Sequence, residues 1–381
     1  MTTPDVALIS PFPALGERHA GWTGVASYSA NLAAALGDAG ARVTVLASDE
    51  PGLPAVARSG SLEVRRVWRR GPSALPAAAA AARATGASTV HLQHELFLYG
   101  GPAAVPGVVP ALAALRGRRA VVTMHHVVDP ASVDASFVDT HGVRAPASVA
   151  RAGVTGLQRT VRAMADAVVV HEPSFSSVVP GAEVVPHGIE VVEPMGREQA
   201  RAALGVDADR LLVLCFGFLA PYKGLEAALG AARLAGDPVE FVIAGGEHPR
   251  LAGYADRLRG SAPANARFTG FVPDGDVARW FAAADVALLP YPRPFASSGP
   301  LALALAHGTP VLVSEALART TGAPGALAVG IDPAAIAARL RALVVGSGER
   351  ARLCDAARSM AAGRTWPEVA RRHLELYGRH G

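Results

Sequence analysis

The chain has 381 residues, of which 50% are hydrophobic and 18% are charged, and its formal net charge at neutral pH is +4. The length predicts about two domains, and the apolar content is enough for full cores, which excludes a disordered or fibrous chain. Among 36 basic residues, 35 are arginine and one is lysine, Lys223. Because Gly224 follows it, the chain has no Walker A loop, and any Schiff-base chemistry would have to use this one lysine.

The predicted elements alternate between short apolar runs and Ala- and Leu-rich amphipathic stretches, which is typical of parallel sheets covered by helices. The sequence therefore predicts an α/β fold with two Rossmann-like halves of about six strands each. The predicted strands of the first half are Val6–Ser10, Arg42–Ala47, Val64–Trp68, Thr89–Leu92, Ala120–Met124, Ala167–Val170 and Glu183–Val185. Those of the second half are Leu211–Phe216, Glu240–Ala244, Ala266–Thr269, Val286–Pro290, Pro310–Ser314 and Ala326–Val329. Predicted helices include 26–39, 151–165, 224–236 and 300–307, and an amphipathic helix, Arg364–Tyr377, comes last.

The remaining features of the sequence limit the partners that we expect. A basic cluster at residues 65–70 has a single aromatic neighbour, Trp68, so we expect a solvated face and no nucleic-acid partner. The N-terminus does not resemble a signal peptide, and no apolar stretch is long enough to span a bilayer. We expect a cytoplasmic protein whose membrane association is peripheral at most. The sequence leaves its oligomeric state open.

The segment most indicative of chemistry is Phe216–Glu226, which runs from a buried strand through Gly217 to Lys223-Gly224 at the start of a helix. A diphosphate bound there would meet both a helix N-terminus and a cationic side chain. No G-x-G-x-x-G follows the first strand of either half, which disfavours an NAD or FAD enzyme. The segment resembles the retaining GT-B glycosyltransferases of family 4, whose Lys-Gly binds the diphosphate of a sugar nucleotide.

Other segments resemble the same family in the same order. In the first half these are its glycine loop, strand-end histidine and pre-linker segment, at Gly21–Val25, Val122–His125 and Val184–Ile189. In the second half they are a strand with its glycine loop, the loop that reads the nucleobase, the strand entering the donor site and the donor helix, at Phe241–Glu247, Phe268–Pro273, Asp285–Tyr291 and Ser297–Pro310.

The resemblance implies a GT-B architecture, in which two Rossmann-like domains face each other across a cleft. We expect an N-terminal acceptor-binding domain over 1–190 and a C-terminal nucleotide-sugar-binding domain over 191–362. The helix of 363–381 would then cross back to the N-terminal domain.

The resemblance also implies the roles of individual residues. Lys223 and His125 would be catalytic, with Lys223 also in the donor site. The other donor-binding candidates are Gly24, Gly217, Gly246, Val272, Ser297, Ser298, Gly299 and Pro300, and the acceptor-binding candidates are Trp22, His94 and His126. We expect neither a metal nor a cofactor, because the D-x-D sequences Asp207–Asp209 and Asp274–Asp276 have no further oxygen ligands nearby.

The implied reaction is transfer of a hexosyl group, for which we favour mannose, from a GDP- or UDP-linked donor with retention of configuration. The leaving diphosphate would accept the acceptor's proton, and His125 would position the donor sugar or donate to one of its hydroxyls. The acceptor would be a hydroxylated molecule, such as an oligosaccharide, a polysaccharide or a small metabolite.

Three positions depart from the family pattern and leave alternatives open. Phe218 stands where the family usually has an arginine, and Phe295 and Leu303 stand where it has a pair of glutamates. A degenerate GT-B protein that binds sugar or nucleotide without turnover is one alternative, and a phosphorylase or epimerase is another. The ordinary structural interpretations are a solvated Lys223, a turn glycine at Gly24 and core histidines at His94, His125 and His126.

Overall fold

The computed structural model describes residues 5–17, 23–140, 142–190, 192–193, 195–248, 251, 253–293 and 298–379. The chain divides into two compact units. The first unit comprises Met1–Gly188 together with Trp366–Gly381, and the second comprises Ile189–Pro294 and Ser298–Thr365.

The described residues of the first unit form an eight-stranded sheet in the order β3-β4-β2-β1-β5-β6-β7-β8. All pairs are parallel except β3 with β4. The central strands are apolar runs buried on both faces, as parallel sheets require. The strands are β1 Asp5–Ile9, β2 Arg42–Ser48, β3 Val56–Ser59, β4 Leu62–Trp68, β5 Thr89–His94, β6 Arg119–Met124, β7 Ala167–Val170 and β8 Glu183–Val184.

Helices cover both faces of this sheet. The first helix begins at Gly24 because the Thr23 hydroxyl accepts a hydrogen bond from the Val25 backbone amide and so caps the helix. The helices are α1 Gly24–Asp38, α2 Ala74–Ala84, α3 Val108–Ala114, α4 Ala135–Thr140, α5 Ala147–Met164 and α6 Pro173–Val178, with 3₁₀ turns at Gly101–Gly107 and Pro130–Ser132.

The second unit contains a fully parallel sheet of six described strands in the order β11-β10-β9-β12-β13-β14. The strands are β9 Leu211–Phe216, β10 Val239–Ala244, β11 Ala266–Gly270, β12 Val286–Leu289, β13 Val311–Ser314 and β14 Ala328–Val329. The helices are α7 Arg197–Leu204, α8 Leu225–Ala235, α9 Tyr254–Gly260, α10 Asp274–Ala283, α11 Gly299–Ala306, α12 Glu315–Thr321, α13 Pro333–Val345 and α14 Ser347–Ala361, with 3₁₀ turns at Pro221–Lys223 and Gly325–Leu327.

The last helix, α15 Trp366–Gly378, belongs to the first unit. Its apolar face, which includes Trp366 and Tyr377, packs into the same hydrophobic core as Tyr28 of α1. Gly188 allows this close packing, since a Cβ at that position would lie 2.4 Å from the Trp366 ring.

Each sheet has a switch point, where the chain stops adding strands on one side of its first strand and continues on the other. In the first unit this point lies between β1 and β5, and in the second it lies between β9 and β12. Parallel α/β sheets bind ligands beside the carboxyl ends of the strands at such points. The loops after these strands are therefore where functional residues should be sought.

The predicted α/β class is confirmed, and each predicted strand coincides with a strand of the structure. β3 was not among the predicted strands, because this edge strand has only four residues and is mostly exposed. The prediction for the last strand was too long, since residues 325–327 form a 3₁₀ turn. Among the described helices, none has the length and apolar character that crossing a bilayer requires.

A buried carboxylate holds four elements of the second unit together. Asp285, just before β12, has a side chain that is 1% exposed, and it forms ion pairs with Arg197, Arg201 and Arg350 at 2.5, 2.5 and 3.2 Å. It also accepts a hydrogen bond from the Leu212 amide of β9 at 2.7 Å. Removing one partner of a buried pair leaves the other charge uncompensated.

We expect Asp285→Ala to lower the free energy of unfolding by about 3–5 kcal/mol, because Arg201 would stay buried without its counter-ion. Chemical denaturation of the intact protein measures this change. The matched control is Asp276→Ala, which breaks an exposed pair with Arg279 and should cost at most about 1 kcal/mol. Equal effects of the two substitutions would contradict the role of Asp285.

Candidate active site

The loop that follows β9 comes close to the segment that follows β12, and glycine makes this approach possible. Gly217 and Gly224 both have a positive φ, +107° and +64°. A Cβ at Gly224 would lie 2.0 Å from the carbonyl oxygen of Pro290, so no other residue fits there. The approach brings Lys223 beside Tyr291 at the switch point of the second sheet.

Lys223 is a half-buried cation that two tyrosine rings, and the hydroxyl of one of them, hold in place. Its Nζ donates a hydrogen bond to the Tyr291 hydroxyl at 2.7 Å and lies 4.4 Å from the centroid of the Tyr291 ring and 5.4 Å from that of Tyr222. Burial lowers the pKa of Lys223 to about 8. Among the described residues, no carboxylate forms an ion pair with it. The site thus holds a desolvated cation that lacks a counter-anion.

The start of α11 lies beside this cation. Ser298 caps the helix by accepting a hydrogen bond from the Leu301 amide, and its hydroxyl lies 3.4 Å from the Tyr291 hydroxyl. A Cβ at Gly217 would lie 3.7 Å from the Lys223 Nζ and 3.4 Å from Pro300 Cγ. The structure thus brings together five predicted donor-site residues, Gly217, Lys223, Ser298, Gly299 and Pro300, and the arrangement suits an anion.

Two further donor-site candidates lie in the neighbouring loops after β10 and β11. The Gly246 carbonyl accepts a hydrogen bond from the Leu219 amide at 3.0 Å, which joins its loop to the one carrying Lys223. A Cβ at Gly246 would lie 3.7 Å from the Cβ of Phe271, and the next residue, Val272, is buried. Among the described residues, none has an atom within 4 Å of the position of a Cβ at Gly24, at the start of α1, so their packing does not require glycine there.

Two candidate site residues lie outside the described part of the chain. Of the three positions that depart from the family pattern, the two that the structure describes carry apolar side chains. Trp22 and Ser297 lie outside the described residues, as does Phe295. Phe218 is 51% exposed and its ring makes a T-shaped contact with His248. Leu303, on α11, packs against the core of the second unit.

In the first unit, His125 follows β6 and is half-buried. Its Nε2 lies 2.7 Å from the Gln93 side-chain amide, its Nδ1 lies 3.2 Å from His171 Nε2, and the edge of its ring meets the Tyr28 ring. Burial, with a contribution from neighbouring histidines, holds the pKa of His125 well below its usual value. His125 is therefore a neutral ring whose two nitrogens both have partners inside the first unit.

The two other histidine candidates are buried. His94 is 3% exposed and His126 is 8% exposed. Burial lowers the pKa of His94 to about 4, so this ring is neutral as well. A role of either residue in acceptor binding stays a prediction.

Several residues of these two regions were not singled out from the sequence. Tyr291 could have been found from its position, because it is the first residue after Pro290 and follows β12, a strand at the switch point of the second sheet. His91 and Gln93 could have been found as alternate polar residues on one face of a buried strand. His171, which follows β7 as His125 follows β6, had no signal beyond that position.

The D-x-D segments have local structural roles. Asp207 Oδ1 accepts a hydrogen bond from the Asp209 amide, and Asp276 pairs with Arg279 within α10. In the part of the chain that the structure describes, no three His, Cys, Asp or Glu side chains are arranged to hold a metal ion.

Comparison with known proteins identifies the class to which this fold and site belong. The fold is that of the GT-B glycosyltransferases. The family model "Glycosyltransferase Family 4" matches residues 22–194, and the model "Glycosyl transferases group 1" matches residues 210–346. The chain therefore belongs to the family 4 glycosyltransferases, as its sequence motifs predicted.

Among curated relatives, the D-inositol 3-phosphate glycosyltransferase of Nocardioides sp. is 34% identical over 223 residues, which cover 52% of this chain and 48% of the relative. That of Frankia alni is 33% identical and covers 52% of each chain. The chain thus spans about half the length of the curated relatives that it matches.

Solved structures match nearly the whole chain. Sucrose-phosphate synthase from Thermosynechococcus elongatus has a TM-score of 0.71 at 21% identity and covers 98% of both chains. Anabaena HepE in complex with UDP has a TM-score of 0.70 at 15% identity and covers 98% of this chain and 99% of its own. Similarity at this level shows the fold.

We expect Lys223 to titrate with a pKa near 8, and NMR of protein labelled at lysine measures this value without assignment, because the chain has one lysine. In Tyr291→Phe the ammonium loses its hydrogen-bond acceptor. This acceptor stabilises the charged form, so its removal should lower the pKa of Lys223 further. Ser314→Ala is the control, since the Ser314 hydroxyl contacts the Tyr291 backbone carbonyl and the Leu317 amide but not the Tyr291 phenol. A pKa near that of a solvated lysine would contradict the described burial.

Proposed function

We propose that the protein is a retaining glycosyltransferase that moves a hexosyl group from a nucleoside diphosphate sugar to a hydroxyl of an acceptor. The observation that carries this proposal is the desolvated Lys223 at the switch point, beside the capped N-terminus of α11 and without a paired carboxylate. A diphosphate supplies the missing negative charge, and membership of the glycosyltransferase family makes a sugar nucleotide its natural source.

In the proposed reaction, negative charge grows on the leaving diphosphate as the bond between its oxygen and the anomeric carbon breaks. Lys223 and the backbone amides at the start of α11 stabilise that charge, and the loops that hold them are already in place before reaction. The acceptor oxygen bonds to the anomeric carbon on the same face. Its proton passes to the leaving phosphate, so the reaction needs no protein base.

Two acidic residues lie near the Lys223 loop. Glu226, at the start of α8, accepts a hydrogen bond from the Tyr254 hydroxyl at 2.7 Å. Glu247 lies in a short backbone bridge with Leu219. Neither forms an ion pair with Lys223, which supports a role for this cation in binding an external anion.

The donor and the acceptor are the least constrained parts of the proposal. One solved neighbour, HepE, is described in complex with UDP-glucose, and mannose is the sugar that we favour, so we propose UDP-glucose and GDP-mannose as the first donors to test. The curated relatives are named for D-inositol 3-phosphate, which makes a hydroxylated small molecule a reasonable acceptor class beside oligosaccharides and polysaccharides. A cytoplasmic location stays a prediction.

We expect one of UDP, GDP, ADP and TDP to raise the melting temperature of the protein more than the others, because a ligand that binds the folded state stabilises it.

A bound diphosphate favours the charged form of the Lys223 amine. The affinity for that nucleotide should therefore be constant up to about pH 8 and then fall by about tenfold per pH unit. Lys223→Arg should remove this decline, because arginine stays charged. A decline that persists in Lys223→Arg would show that another group causes it.

We expect Lys223→Ala to reduce sugar transfer by about 10²–10³-fold, the usual effect of losing one group that stabilises developing charge. Transfer from labelled donor at saturating acceptor measures the change. Arg352→Ala removes an exposed cation of the same unit and should leave transfer unchanged. Normal turnover in Lys223→Ala would overturn the donor-site assignment, whereas tight nucleotide binding by the wild type without turnover would favour a degenerate binding protein.

A further inference from the structure

A continuous series of hydrogen bonds crosses the first unit from the backbone after β8 to α15. From one end to the other it joins the Val185 carbonyl, His171, His125, Gln93, His91 and the Tyr377 hydroxyl. We call this series the histidine chain. Its consecutive contacts measure 3.0, 3.2, 2.7, 3.1 and 2.7 Å.

The Val185 carbonyl sets the direction of the chain because a carbonyl oxygen can only accept. His171 Nδ1, 3.0 Å away, must therefore carry a proton and donate it. In a neutral ring the other nitrogen has a lone pair, so His171 Nε2 accepts a hydrogen bond from His125 Nδ1. It follows that His125 carries its proton on Nδ1 and has a lone pair on Nε2.

The Gln93 amide extends this direction towards β6 and α15. A half-turn exchanges the nitrogen and oxygen of a glutamine amide, and their hydrogen-bond partners decide which is which. The structure has the Gln93 oxygen towards His125 Nε2 and the nitrogen towards His91 Nε2. After a half-turn of the amide, Gln93 donates to the lone pair on His125 Nε2, and its oxygen accepts from His91 Nε2.

The far end of the chain satisfies the same arrangement. His91 Nε2 also lies 2.7 Å from the Thr123 hydroxyl, which can accept. His91 Nδ1 then has a lone pair and accepts from the Tyr377 hydroxyl at 2.7 Å. Every ring in the chain is neutral in this arrangement, and the N–H on His91 Nε2 is shared between the Gln93 oxygen and the Thr123 hydroxyl.

The opposite orientation of Gln93 needs an additional proton. With the amide oxygen towards His125, either His125 or His171 must donate from both of its nitrogens, and in each case a doubly protonated ring is buried. The titratable groups around His125 are Tyr28 from α1, His91 and His94 from β5, His171 after β7 and His187 after β8. The histidines among them, together with burial, lower the pKa of His125 and so oppose this charge.

We propose that the histidine chain locks His125 as the neutral tautomer with its proton on Nδ1, and that His171 and Gln93 are positioning residues for this ring. His125 then contributes a fixed, uncharged ring to its surroundings rather than a free N–H or a proton acceptor. This inference goes beyond the proposed function, because it concerns the protonation and orientation of His125 whether or not sugar is transferred.

The test is NMR of the imidazole nitrogens in the intact, histidine-labelled protein. Correlations between ring nitrogens and carbon-bound protons distinguish the two neutral tautomers from the doubly protonated ring, and loss of a signal in His125→Gln assigns His125. His373 serves as an internal reference, since its Nδ1 donates to the Val369 carbonyl at 2.8 Å. We expect His125 to show the same Nδ1–H pattern near neutral pH. The Nε2–H pattern or a doubly protonated ring would overturn the proposal.

Variants at the two ends of the chain test its direction. In His171→Phe, His125 loses the acceptor for its Nδ1 proton, so we expect a shift towards the Nε2–H tautomer as Gln93 turns its oxygen towards the ring. In Tyr377→Phe, only His91 loses a partner, and His125 should keep its tautomer. An unchanged His125 in His171→Phe, with the His373 signal confirming the fold of the first unit, would overturn the proposal.

A charge substitution in the middle of the chain provides a second test that does not remove a ring. In Gln93→Glu a carboxylate accepts from both neighbours, so we expect His125 to be doubly protonated near neutral pH. Gln93→Met, of similar size but apolar, should leave the Nδ1–H tautomer in place. A neutral His125 with its proton on Nε2 in Gln93→Glu would contradict the proposal. Because the NMR samples contain neither the sugar donor nor the sugar acceptor, these results are independent of whether transfer is detected.

Discussion

The contact between the Lys223 ammonium and Tyr291 is the interaction on which the geometry of the candidate site depends. It needs a loop after β9 that reaches the segment after β12, and this approach is possible only because Gly224 leaves room for the Pro290 carbonyl. The phenol accepts a hydrogen bond but carries no charge that could neutralise the ammonium. The fold therefore keeps a cation partly out of water without compensating it, an arrangement that favours an anionic ligand.

The fold was predictable because parallel strands buried on both faces must be short, continuous apolar runs. Leu211–Phe216 and Val286–Leu289 are such runs, and their order along the chain places their carboxyl ends at one edge of the sheet. The edge strand Val56–Ser59 was missed because exposed pairing leaves no apolar pattern. Its partner strand β4, rather than its own composition, determines that it forms.

The candidate site was predictable only where a motif joins local geometry to chemistry. Lys223-Gly224 could be read in this way, since a lysine at a helix start needs no distant residue to suggest a phosphate. The positions of Tyr291 and Gln93 could be noted from the sequence, but their roles could not be predicted, because each role depends on a partner that the sheet brings close, 68 and 32 residues away along the chain. A single sequence does not show which polar side chain of a buried strand meets which neighbour.

The two polar arrangements in this protein solve opposite electrostatic problems. Around Lys223, burial leaves one charge without a counter-ion, so its protonation depends on pH and on a bound anion. In the histidine chain, each donor meets an acceptor and no ring needs a charge, so burial stabilises the neutral state. A pH dependence near 8 therefore points to Lys223 rather than to His125, whose pKa burial moves in the direction away from that range.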